Sequence, residues 1–196
     1  MSELGRELKA VMKEELRFER DHLMVEDMNL AAVLALFWGD RFLTSQILLI
    51  LRSPDLVQNP GQVAFPGGAL DVEDDQNFVR TALRETFEEV GLPADSIEVY
   101  GVLPPMPTVA GRFLVNPVIA RFTGSEAQPL LLQESEVSKA EWVKVAELLA
   151  SREIEKRVVQ GVEMELPVFY WKEKQMWGLT AMIFDLICRR YDKLFS

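Results

Sequence analysis

Thiol and imidazole are nearly absent from this chain: its 196 residues hold one cysteine, Cys188, and one histidine, His22. A single cysteine excludes an internal disulfide framework. So small a supply of sulfur and imidazole also argues against a zinc site of the usual kind. A metal, if used, must be held by oxygen, which favours Mg²⁺ or Mn²⁺ over zinc or copper. Positive charge is short as well, with 21 Lys and Arg against 31 Asp and Glu and a formal net charge of −10. Such a field repels polyanions, so nucleic acid is not an expected partner. An anionic small molecule would need metal ions or a local basic cluster to approach. Long apolar runs are missing too: the longest, Leu30–Trp38, is far too short to span a bilayer. The alternating acidic and basic residues 1–20 lack the apolar stretch of a signal peptide. The expectation is a soluble, cytoplasmic protein with no membrane partner. There is no internal repeat and no low-complexity tract.

What is present suffices for one buried core, since 48% of the residues are hydrophobic. Residues 3–20 carry helical spacing through Leu4, Leu8, Val11, Met12 and Leu16. Leu30–Trp38 and Gln46–Arg52 read as strands that resemble a hairpin. Gln62–Phe65 reads as a short strand that stops at Pro66-Gly67-Gly68. Asp71–Asn77 is an acidic loop, and Phe78–Val90 a helix capped by Gly91. Ile97–Leu103 and Leu114–Phe122 read as strands around a proline-rich segment, Pro104–Arg112. Lys139–Val145 reads as a further strand before a short helix at Val145–Ser151, and Trp177–Phe195 as a closing amphipathic helix. Strands and helices mix without regular alternation, which points to α+β. Cys188 reads as a buried structural thiol; His22 has no partner cluster. Trp177, Leu179 and Ile183 read as core, with Trp177-Gly178 open to a role in a pocket wall or a subunit interface.

The chemistry concentrates in Pro66–Leu92, PGGALDVEDDQNFVRTALRETFEEVGL. At about 100° per residue, Val79, Ala82, Leu83, Thr86, Phe87 and Val90 share one helix face, and Glu85, Glu88 and Glu89 the opposite one. Carboxylates at i, i+3 and i+4 repel one another. They belong together if a hard multivalent cation neutralises them. Arg84, one turn before Glu88, can pair with that carboxylate and hold it in place.

This segment resembles the Nudix box. Gly68 matches its first glycine, and Arg84, Glu85, Glu88, Glu89, Gly91 and Leu92 match its second half. The Gly68–Arg84 span is two residues longer than the common pattern, the first acidic position is Asp74 rather than Glu, and Thr86 replaces an aliphatic residue. The resemblance implies a Nudix fold: a mixed β-sheet sandwiched between helices (α/β/α), over residues 26–196, with an extra N-terminal helical extension at 1–25. It implies Glu85 and Glu89 as main metal ligands, Glu88 as a direct or water-mediated one, and the Gly68 carbonyl as a further ligand. Glu85, Arg84 and Glu136 are the expected catalytic residues. Glu136 lies in ESEVSKAEW, which resembles the loop before the last core strand; Glu134 is its rival, and Glu85 could itself be the base.

Upstream, LLILRSPDLVQNPGQVAFPGG resembles the motif preceding the box in coenzyme A pyrophosphatases. Leu48, Leu49, Arg52, Ser53, Gly61, Phe65, Pro66, Gly67 and Gly68 match; Val57 stands where the pattern has a second Arg. Residues 101–120 and 176–183 are similar to the same branch. The resemblance implies metal-dependent hydrolysis of a diphosphate linkage in coenzyme A or a derivative, releasing 3′,5′-ADP and 4′-phosphopantetheine. Arg52, Arg112 and Phe65 are the expected substrate-binding residues, the arginines because a guanidinium fork suits phosphate oxygens. One alternative is hydrolysis of another nucleoside diphosphate-X, such as ADP-ribose or a nucleotide sugar. Another is a catalytically silent nucleotide-binding regulator, which the intact carboxylate set argues against. The partner implied is a small-molecule diphosphate, and a homodimer is one option for assembly.

Overall fold

The computed structural model describes residues 1–13, 28–108, 112–125, 128–159 and 161–195. His22, the 14–20 end of the expected N-terminal helix and the boundary at 25/26 lie outside them. The helices are α1 (Glu3–Lys13), α2 (Phe78–Val90), α3 (Val145–Ala150) and α4 (Gly178–Phe195). The strands are β1 (Asn29–Trp38), β2 (Gln46–Arg52), β3 (Val63–Ala64), β4 (Gly67–Ala69), β5 (Ile97–Val102), β6 (Met106–Pro107), β7 (Phe113–Phe122), β8 (Val137–Lys144), β9 (Glu153–Val159), β10 (Val162–Trp171) and β11 (Lys174–Met176).

The apolar runs of β1 and β2 form strands because both of their faces are covered. Successive side chains alternate between two cores. Ala32, Leu34, Leu36, Leu48 and Ile50 face α2 with Ala82 and Val90. Ala35, Phe37, Ile47 and Leu49 face the other way, toward Leu4 and Leu8 of α1 and Phe184 and Ile187 of α4. The layering is helix, sheet, helix, as expected, and the sheet is mixed. β1 runs parallel to β7 from Asn29 to Phe37, while β2 lies antiparallel to β8.

The hairpin between β1 and β2 holds only at its base, Phe37 opposite Ile47 and Trp38 opposite Gln46. Beyond that the strands part. The vacated edge of β1 pairs instead with β4, Ala32 opposite Gly68 and Val33 opposite Gly67. The diglycine, expected to end a strand, is therefore itself a strand. Without side chains it can lie flat on β1: at Gly67, where φ is 153°, a Cβ would collide with the Ala32 carbonyl oxygen. This splaying of β1 and β2 opens the cleft that holds the site.

The β9–β11 strands form a separate three-stranded sheet that no sequence expectation covered. Its outer stretch, Glu153–Val159 and residues 161–165, is largely exposed, so it lacks the apolar run that marks the core strands. Among the described residues no helix is long and apolar enough to cross a membrane.

Candidate active site

Helix α2 is delimited by local chemistry. Asn77 Oδ1 accepts from the Val79 and Arg80 amides at 3.0 and 3.2 Å, an N-cap that satisfies otherwise orphaned donors. Gly91 closes the helix at φ 74° with its amide on the Phe87 carbonyl. The longer spacer is taken up before the cap by a tight turn at Val72–Asp74 and left-handed Asp75 and Gln76. Thr86 is accommodated in the core because its hydroxyl donates to the Ala82 carbonyl at 2.7 Å.

The helix is rotated from the expected orientation. Phe87 is 57% exposed, and the Glu89 side chain is only 1% exposed. Glu85, Glu88 and Glu89 therefore do not share a solvent face: 13% of the Glu85 side chain and 53% of that of Glu88 is accessible. The inward turn places Glu89 under β4, where the Gly67 amide donates to its Oε2 at 3.0 Å. Burial is the main cause that pushes the Glu89 carboxyl up to about 8. The Gly67 amide and Arg52 oppose that rise, while Glu85 and Glu136 add to it. Burial likewise raises Glu85, against the pull of Arg84.

Arg84 organises the outer side of the helix. Its Nε and Nη2 donate to Asp74 at 3.1 and 3.0 Å. Its Nη1 lies 3.0 Å from Glu85 and 2.9 Å from Glu88. The fork onto Asp74, which is 2% exposed, holds that carboxyl down at about 2. Asp74 thus acts as the anchor of Arg84. Its place in the box was legible in the sequence, but its partner was not.

A cavity of about 770 Å³ opens over these groups, lined by Glu85, Glu89, Glu136, Arg52, Arg112, Phe65 and Gly68, among others. The expected residues are thus brought together, except for three: Arg84, expected to be catalytic, does not line the cavity. Glu88 points away to Arg84, and Glu134 lies outside the cavity wall. Glu136 reaches it from just before β8, where its carbonyl accepts from the Ser53 amide at 2.8 Å. The Glu85 carboxylate lies against the Cα of Gly68, close enough that a Cβ there would collide with it. Arg52 Nη1 stands 3.9 Å from Glu89, and its Nε is buried with no hydrogen-bond partner among the described residues. The walls also hold Gln58, Asn59, Gln62, Thr108, Trp177, Leu179 and Thr180. Gln58, Asn59, Gln62 and Thr108 come from loops without periodicity and Thr180 from the first turn of α4, and Trp177 and Leu179 were expected in the core.

Among the described residues no three acidic side chains already form a metal-holding group. The donor set nonetheless fits a hard cation: the buried Glu89, the half-buried Glu85 and Glu136 converge on one cavity, and Glu85 and Glu136 both work against the charged form of Glu89.

Residues 28–161 match the NUDIX domain family model. The chain is 38% identical to the Nudix hydrolase NudL of Pectobacterium atrosepticum over 143 residues, 71% of this chain and 72% of that protein. It is 33% identical over 156 residues to the peroxisomal coenzyme A diphosphatase ndx-8 of Caenorhabditis elegans, covering 78% of this chain and 64% of that one. The MutT protein of Methanosarcina mazei superposes with a TM-score of 0.55 at 15% identity, covering 86% of this chain and 96% of that structure. That last likeness is one of fold. By sequence and by fold, the chain belongs to the Nudix family of hydrolases, and its class is that of a diphosphatase.

Proposed function

We propose that the enzyme hydrolyses the diphosphate linkage of coenzyme A or a derivative, giving 3′,5′-ADP and 4′-phosphopantetheine. The observation that carries this reading is the convergence of Glu85, Glu89 and Glu136 with Arg52 and Arg112 on one cavity. Support for the substrate comes from the motif at Leu48–Gly68 and from the likeness to a coenzyme A diphosphatase.

Nudix hydrolases generally use divalent metal ions; here Mg²⁺ or Mn²⁺ would be held by Glu85 and Glu89, with the Gly68 carbonyl as a further donor, while Glu88, expected as a ligand, is turned to Arg84. Such an ion, when bound, neutralises charge on phosphoryl oxygens and makes water a better nucleophile. Arg52 and Arg112 bind and orient the diphosphate by meeting its oxygens. Glu136 takes a proton from the attacking water, with Glu85 as the alternative base. The water oxygen bonds to phosphorus, the bridging P–O bond breaks, and the leaving phosphate carries away the electron pair. Arg84 holds Glu85 in place from the outer side and touches no substrate.

The second reading is ADP-ribose or a nucleotide sugar. It is favoured by Val57, which is 98% exposed at the cavity mouth where the coenzyme A motif has an arginine. Incubation with Mg²⁺ or Mn²⁺ and coenzyme A, ADP-ribose or a nucleotide sugar separates them. Formation of 3′,5′-ADP from coenzyme A is expected. Turnover of ADP-ribose with coenzyme A untouched would reject the leading reading.

A further inference from the structure

The β9–β11 sheet supplies no carboxylate or arginine to the cavity wall, yet the residue after β11 is part of that wall. Trp177, half-buried between β11 and α4, lines the cavity. The Arg157 guanidinium, from β9, lies over its indole ring with 4.7 Å to the centroid. Arg157 is braced by Glu155 on its own strand and by Gln175 on β11. Its Nε and Nη2 donate to Glu155 at 3.1 and 2.8 Å, and Nη2 also donates to Gln175 Oε1 at 2.9 Å. Gln175 Nε2 in turn donates to Glu155 and to the Tyr170 hydroxyl at 3.1 and 3.2 Å. An isolated surface ion pair does not repay the entropy of so much ordering. What the network achieves is a guanidinium fixed against the ring of a tryptophan that lines the cavity.

We propose that Trp177, held by Arg157, is the surface on which the adenine ring of the substrate stacks. A flat indole gains most from a flat partner. Adenine offers an aromatic ring to that surface, whereas a pantetheine arm offers none. Trp177 shares its cavity with Arg52 and Arg112, so base and diphosphate can be met by one site. The inference rests on the diphosphatase reading of that cavity but not on coenzyme A, because coenzyme A and ADP-ribose both carry adenine. Trp177 is a binding residue in this proposal, and Arg157 a positioning residue.

The test uses the full chain with Trp177→Leu, Trp177→Phe and Arg157→Gln, each checked for an unchanged circular dichroism spectrum. Trp177→Leu should raise KM for whichever adenine substrate is turned over by about tenfold, with kcat within about twofold. Trp177→Phe should restore most of the loss, and Arg157→Gln should show a smaller rise of the same kind. Inhibition by 3′,5′-ADP should weaken in parallel, and inhibition by 4′-phosphopantetheine should not. An unchanged KM, a loss confined to kcat, or a loss falling on 4′-phosphopantetheine would overturn the proposal. If ADP-ribose alone is turned over, the coenzyme A reading fails while the KM comparison still decides this one. If no diphosphate is hydrolysed, calorimetric binding of 3′,5′-ADP decides: equal affinity in wild type and Trp177→Leu refutes it, and weaker binding in the variant upholds it. Should Trp177→Leu not fold, Arg157→Gln carries the comparison, and a KM equal to that of the wild type would refute the proposal.

Discussion

At Glu89 burial and charge are in direct conflict. Its carboxyl is 1% exposed, receives one amide hydrogen bond and has its nearest cation 3.9 Å away. Its titration near 8 makes stability depend on pH in a definite direction. The unfolded chain releases this proton near 4.5, the folded chain only near 8. Between those values the folded state binds more protons, so its stability falls as pH rises. Thermal denaturation in chelator should therefore show Tm dropping from pH 5 to pH 8. Glu89→Gln should remove part of that slope, Glu85 retaining the rest because burial raises it too. Added Mg²⁺ or Mn²⁺ should restore stability most at the upper end, since a cation binds the deprotonated form. A flat profile in the parent protein would contradict the assigned burial. The residue types of this site were readable from their spacing in the box. The inward turn of Glu89 was not, because a helical wheel ranks faces by apolar content and a buried carboxylate counts against its own face.

At the scale of elements, the two adjacent glycines of β4 do different work. Gly67 needs a φ of 153°, and a Cβ there would strike the backbone of Ala32 and Val33. Gly68 does not need a positive φ, and the atoms nearest to a Cβ there are those of the Glu85 carboxylate. Gly67→Ala should accordingly destabilise the fold, as seen in Tm. Gly68→Ala should keep Tm close to that of the parent while displacing Glu85, lowering kcat by about a hundredfold. Equal effects of both substitutions on both measurements would refute this division. Helix α2 was legible to the residue, because Asn77 and Gly91 are local signals. Strand β4 was not: a glycine pair reads as a turn unless the edge of β1 that it fills is known.

At the scale of the molecule, α1 is seated in the common core. Leu4, Leu8 and Val11 are fully buried, Glu7 Oε2 accepts from the Phe42 amide at 2.7 Å, and Arg190 of α4 donates to the Val11 carbonyl at 2.9 Å. Leu8→Ala should cost about 2–5 kcal/mol, measured by denaturant titration, and unfolding should stay a single transition. A separate early step would mean that α1 is an independent appendage. The amphipathic spacing of α1 was plain in the sequence, but its seat beside α4 was not. The sequence by itself determined the family, the core strands, helix α2 and the acidic chemistry, since each is written in residues near one another along the chain. Tertiary structure alone decided which carboxylates share a cavity, what holds Arg84, and that the β9–β11 sheet delivers Trp177 to the site. Those depend on how splayed strands and a rotated helix meet in space, and no local pattern encodes a meeting between segments so far apart.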